Sequence, residues 1–213
     1  MRNLVIIGAV LLVAACVKHP TPVAPILSLE HTTCQPTPAL AAALPITFNP
    51  EERTSINFDV DRGSPCLQKS GSQKQLYQLV ALPRSATMYL VTVASQANGH
   101  GIFAPTLITL KEDGSEVREL SQSDFLFRGT NLSAKIEVQT EERYLMVASN
   151  PASVGESTTQ INGLTHRQGS FYNGAAGVRF NTGREQQTDY KYSHAGKVMV
   201  STQALPNRSV SRN

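Results

Sequence analysis

From Ser55 onward the apolar residues of this chain return at every second position, and that spacing constrains the fold more than any other feature. Ile56, Phe58 and Val60 alternate with Asn57, Asp59 and Asp61, so an extended backbone carries the first set on one face and the second on the other. A helix would scatter the same residues around its circumference. Similar runs predict strands at Leu76 to Leu82, Met88 to Ala94, Thr106 to Leu110, Val117 to Leu120, Leu132 to Val138 and Arg143 to Ala148. Asp113-Gly114 lies between two of them and suits a tight hairpin. Pro83 ends one strand, and Asn98-Gly99-His100-Gly101 breaks the next. No long amphipathic helix separates the strands, so parallel βαβ architecture is disfavoured.

The expected fold class is therefore all-β: a jelly-roll-like antiparallel β-sandwich with one short N-terminal helix, spanning residues 37–150. The helix is expected within Pro38-Ala39-Leu40-Ala41-Ala42-Ala43-Leu44, which has proline at its start and Pro45 at its end. Residues 151–205 shift towards Gly, Ser, Thr, Gln and Asn. They read as either a long surface excursion or a partly disordered stretch, closed by a final strand at Lys197 to Ser201. Residues 206–213 read as a flexible basic tail.

The first fifteen residues have the layout of a secretory signal, with Arg2 ahead of an apolar stretch from Leu4 to Ala15. A bilayer span needs about 20 apolar residues, so this run reads as a removable leader. Its end, Val13-Ala14-Ala15-Cys16, resembles the bacterial lipobox. That resemblance implies cleavage before Cys16, acyl chains such as palmitate on its thiol and new amino terminus, and attachment to a membrane without a membrane helix. Val17 is not the aspartate that retains such proteins at the inner membrane. The expected location is the outer membrane, lipid-anchored and facing the periplasm. Residues 16–36 then form a tether, in which Pro20, Pro22 and Pro25 favour an extended spacer.

With Cys16 lipidated, Cys34 and Cys66 remain, an even pair in an oxidising compartment, and a disulfide between them is expected. It would close a loop of roughly 30 residues and contribute about 3 to 4 kcal/mol, mainly by restricting the unfolded chain. Neither cysteine has a CxxC or nearby histidine partner, which leaves little support for a metal or thiol-chemistry role.

Charge and composition narrow the functions further. The net charge of +3 is mild and unclustered, and no nucleic-acid partner is expected from it. No tryptophan and 6% aromatics leave few flat rings for stacking on sugars. There is no GxSxG, HExxH, P-loop or CxxC, and the chain is expected not to be an enzyme, with no metal and no cofactor. Gly99 to Ala104 imitates a dinucleotide fingerprint, but strand-like residues follow where a helix should open. Asn57, Asp59 and Asp61 share a strand face, read as a solvated face because calcium wants six or more oxygens. His100, His166 and His194 show no ligand spacing and read as surface histidines.

The patch with the most chemistry left is aromatic. Phe171, Tyr172, Phe180, Tyr190 and Tyr192 stand among glycines with Arg179, Arg184 and Lys191. Phe171, Tyr172, Arg179, Tyr190 and Tyr192 are the candidate contact residues for a partner protein or a glycan. The competing reading has them closing the edge or base of the sandwich.

The block from Gln75 to Pro151 resembles the periplasmic protein of the maltose operon, the MalM family. The likeness rests on Leu76 to Pro83, on Phe103-Ala104-Pro105 with the following Leu107 to Leu110, on the region of Phe125, and on Arg143 to Ser149. It implies an exported, non-enzymatic protein with a β-rich domain and a link to maltodextrins. The same block also resembles small jelly-roll domains appended to secreted bacterial enzymes. The expected function is a non-catalytic accessory lipoprotein that docks its sandwich onto another envelope protein or assembly. The alternative is a periplasmic carbohydrate-binding accessory of the maltodextrin type.

Overall fold

The computed structural model describes residues 24–69, 73–173 and 176–205, with side chains for all of these except Gln122 and residues 161–186. The strands run in chain order as β1 (Leu44–Pro45), β2 (Thr54–Val60), β3 (Cys66–Gln68), β4 (Lys74–Ala81), β5 (Tyr89–Gln96), β6 (Gly101–Phe103) and β7 (Pro105–Leu110). They continue as β8 (Glu116–Leu120), β9 (Leu126–Arg128), β10 (Asn131–Glu137), β11 (Tyr144–Ser149), β12 (Ser157–Asn173), β13 (Ala176–Ser193) and β14 (Gly196–Ala204). One sheet has the order β1-β4-β11-β7-β8 with β3 also on β4, a second the order β2-β14-β5-β10-β9, and a third the order β12-β13-β6.

Alternation in the sequence becomes burial in the structure. In β2, Ile56, Phe58 and Val60 turn inward while Ser55, Asn57 and Asp59 stay exposed. Leu76, Val80, Leu107, Leu145 and Val147 of the first sheet join Val91, Val93, Ala134, Ile136, Val198 and Val200 of the second in one apolar cluster. Each such side chain contributes about 1.5 to 3 kcal/mol on leaving water. The two sheets thus share a core.

The intervening positions of the first sheet build a second cluster on its other face: Leu67, Tyr77, Leu79, Ile108, Leu110, Met146 and Ala148. This explains why β7 is buried at every position and β4 at most of its positions, since both of their faces are covered. The cover includes Leu40 and Ala43, which pack onto this cluster from the N-terminal segment. That segment is fixed by the Cys34–Cys66 disulfide, with Cα atoms 4.5 Å apart. Gln35 pairs with Leu67 beside it, and the Ala39 N–H donates to the Tyr77 hydroxyl at 2.9 Å.

Three expectations need correction. The segment from Pro38 to Leu44 forms only a single 3-10 turn, Leu40–Ala42, because a stretch between two prolines is too short to propagate a helix and Leu44–Pro45 pairs in parallel with Val80 and Ala81. The sheets are not complete at residue 150, because β14 lies between β2 and β5 within its sheet. The tether is not free as far as residue 36. Leu29 is buried in the main core, and the Lys74 ammonium donates to the carbonyls of Leu29, Glu30 and Thr32 at 3.3, 2.9 and 2.8 Å.

The turns follow their residues. Gly114 adopts φ +85°, and Asp113 accepts the Ser115 N–H and hydroxyl at 2.9 and 2.6 Å, closing the β7–β8 hairpin. Those bonds hold the Asp113 carboxyl below the usual carboxylate range. Asn98 and Gly101 exchange backbone bonds across Gly99 at φ +62°, and the chain continues into β6 and not into a helix.

Candidate functional site

The polar stretch that carried little signal in the sequence is a long two-stranded ribbon. β12 and β13 pair antiparallel from Ser157 with Lys191 to Asn173 with Ala176, with one register shift between Leu164 and Arg167. From residue 161 to residue 173 the ribbon runs about 40 Å at 3.4 Å per residue. Among the described residues β12 pairs with β13 alone. β13 is joined on its other side by β6, in parallel, at Lys191, Tyr192 and Ser193.

The candidate contact residues divide along this ribbon. Phe171, Tyr172 and Arg179 occupy register positions opposite Val178, Gly177 and Ser170 near its tip; their side chains lie outside the described residues. For Tyr190 and Tyr192 the competing reading, that they close the base of the sheets, holds, and the contact reading is corrected. They are 6% and 7% exposed and belong to the main core, with the Tyr190 ring stacked on Phe127 at a centroid distance of 6.4 Å. They sit where the ribbon enters the body, so burial under β6 and β9 overrides their surface-like composition. Cys16 precedes the described residues.

The base of the ribbon is held by groups that the sequence did not single out. Ser149, fully buried, accepts the Leu76 N–H at 3.1 Å and lies 2.8 Å from His194 Nδ1. His194, read from the sequence as a surface histidine, is 5% exposed, and burial lowers its pKa, keeping the ring neutral. Its backbone N–H donates to the Ile26 carbonyl at 2.9 Å, while the Ile26 N–H donates to Ser193 Oγ at 2.8 Å. The N-terminal segment is therefore stitched to the foot of β13. The Ser149–His194 pair carries no nucleophilic chemistry, since no substrate reaches a hydroxyl that is wholly enclosed. Gly196 packs against Phe103 so closely that an added Cβ would stand 2.9 Å from the Phe103 Cβ.

Beside this junction lies a cavity of about 250 Å³, lined by Pro25, Ile26, Val60, Asn98 and Gly196 among others, with Asp59, Asp61 and Lys197 also on its wall. It is smaller than the usual range for ligand pockets, about 300 to 1,000 Å³. None of its lining residues is aromatic.

A buried carboxylate at the opposite sheet edge is structural. Glu142, 1% exposed, accepts Arg118 Nε on Oε1 at 2.7 Å and Nη2 on Oε2 at 3.1 Å. The Thr109 hydroxyl and the Gln139 N–H donate to it at 2.7 and 2.8 Å. Arg118 Nη2 also donates to the Glu137 carbonyl, so the pair clips β8 to the turn between β10 and β11. Tyr89, buried nearby with its hydroxyl donating to the Pro83 carbonyl, has its pKa pushed up to about 12 by burial and by the Glu142 charge. Sequence spacing had no means of pairing residues 118 and 142.

Among the described residues no group of three or more His, Cys, Asp or Glu side chains is arranged to hold a metal ion. Asn57, Asp59 and Asp61 are exposed, and Asp61 is engaged with the Gly63 N–H at 2.8 Å. No described helix is long and apolar enough to cross a membrane.

No protein-family model matches this chain, and no match is found among curated proteins.

Proposed function

We propose that this chain is a non-catalytic accessory lipoprotein of the bacterial outer membrane, held by lipid on Cys16 with its body in the periplasm, whose ribbon docks it onto another envelope protein or assembly. The observation that carries this reading is the ribbon. β12 and β13 span 17 and 18 residues, and over most of that length, among the described residues, they pair only with each other. An isolated pair of strands is marginal in water, so a ribbon of this length calls for something to pack or pair against.

The body serves as its mount. The strand order supports a jelly-roll sandwich, with β2, β14, β5 and β10 in one sheet and β4, β11, β7 and β8 in the other. Apart from the β7–β8 hairpin, each step along this set crosses between the sheets, as in a double Greek key. The ribbon is then an insertion between the last two strands of the roll.

A lipid on Cys16 would hold the body close to the membrane. Ala24 is eight residues beyond Cys16, a reach of at most about 28 Å for an extended chain. For the maltodextrin alternative, the cavity beside Ile26 offers no ring for a sugar to stack on. A photo-reactive amino acid in place of Gln168, incorporated in cells, tests the docking reading. An adduct between the ribbon and an envelope protein is the expected result. A chain that yields no adduct at Gln168 and at neighbouring ribbon positions contradicts it.

A further inference from the structure

We propose that the open edges of the ribbon take further copies of this same chain, the outer edge of β12 in one copy pairing antiparallel with the outer edge of β13 in the next. This rests on the anchored docking reading above and names what the ribbon meets first. Over residues 161–173 and 176–187 the two strands, among the described residues, pair only with each other. Each therefore presents an outward row of backbone N–H and C=O groups, a template for another strand. Proteins that keep such an edge solitary interrupt it with proline, charged side chains or bulges. The 17 residues of Ser157–Asn173 carry no proline and one permanent charge, Arg167, beside the one register shift; residues 176–187 of β13 carry no proline and the charges Arg179, Arg184 and Glu185.

Edge geometry selects a second copy over a strand from another protein. A foreign strand would fill one edge and leave the other open. A second copy brings the missing edge, of nearly equal length and opposite direction. Ribbons standing side by side in one orientation then pair β12 against β13 in the antiparallel sense. A common lipid anchor holds copies in that shared orientation.

Because β12 meets β13 and not itself, the contact is heterologous, and addition does not stop at two copies. Each copy contributes two strands, about 10 Å of sheet width. The five- and six-stranded sheets behind them are wider. The bodies must therefore splay outward, and the row of ribbons curves towards a ring.

Two experiments on the full-length lipidated protein, extracted in mild detergent, test this. Native mass spectrometry is expected to show assemblies of three or more copies; a population confined to monomer or to dimer overturns the proposal. In the second, two differently tagged copies are co-expressed, one carrying Gln168→Cys and the other a cysteine placed in turn at Gly177, Arg179, Asn181, Gly183 and Glu185. A mixed disulfide dominating at one or two of these positions is expected. Dominant Gln168→Cys homodimers would mean that β12 meets β12, and would overturn the arrangement. If the photo-reactive group at Gln168 joins only a different envelope protein, self-pairing fails while the docking reading stands; if it joins nothing, both fail.

Discussion

Glu142 and His194 are the two buried titratable side chains whose environments decide most. Glu142 is enclosed and fully engaged, paired with the Arg118 guanidinium, whose side chain keeps 31% exposure. Arg118→Met removes the cation and leaves a carboxylate stranded in the interior, which is expected to cost about 3 kcal/mol, read from urea denaturation at pH 7. Arg84→Ala breaks a salt bridge whose partners are 68% and 71% exposed, and the same measurement should move by about 0.5 kcal/mol or less. His194 gives the pH dependence. Its folded pKa is lowered by burial, so the unfolded chain binds the proton first as pH falls. Its contribution to stability is therefore complete above about pH 6.5 and is lost on acidification from there down to the folded pKa. His194→Gln is expected to flatten that part of a urea-midpoint profile between pH 8 and pH 5. An unchanged slope would mean that the ring does not sit neutral against Ser149.

Among the strands, what the sequence made legible was whatever repeats locally. Six predicted strands correspond to β4, β5, β7, β8, β10 and β11, with ends displaced by at most two residues, because alternation and turn residues are local signals. The short β3, β6 and β9 were not legible, since three residues carry no period. The ribbon was not legible either. The apolar residues of Ser157–Asn173, Ile161, Leu164, Phe171 and Tyr172, do not recur at every second position, so the strand gives no alternation to read. Tyr190 and Tyr192 looked like contact residues for the same reason: nothing local says that β6 and Phe127 cover them. The disulfide was legible from cysteine arithmetic, but its task was not. It secures the segment that carries Leu40 and Ala43 over the second apolar cluster. The double variant Cys34→Ser, Cys66→Ser is expected to lose about 3 to 4 kcal/mol from loop entropy. It should also gain binding of an apolar dye as Tyr77, Leu79 and Met146 lose cover; a stability change under 1 kcal/mol would remove the strap from the account.

The molecule as a whole divides into a body that is self-sufficient and a ribbon that is not. The body has two sheets over one core, a covered outer face, and an N-terminal segment sewn to the foot of β13 through Ile26. At its base the ribbon enters the core through Tyr190 and Tyr192, and over residues 161–173 and 176–187 its strands, among the described residues, pair only with each other. Its removal should therefore be tolerated by the fold and not by the function. Gln160 pairs with Thr188, so residues 161–187 can be replaced by an Asn-Gly turn joining two strand ends that are already neighbours. The most direct measurement compares this shortened chain with the full one in cells: thermal unfolding of each, and the size of the complexes each enters in detergent extracts. Unfolding midpoints within a few degrees, with the large complexes absent from the shortened chain, are the expected result. Complexes of unchanged size without the ribbon would contradict the claim that the ribbon is what docks.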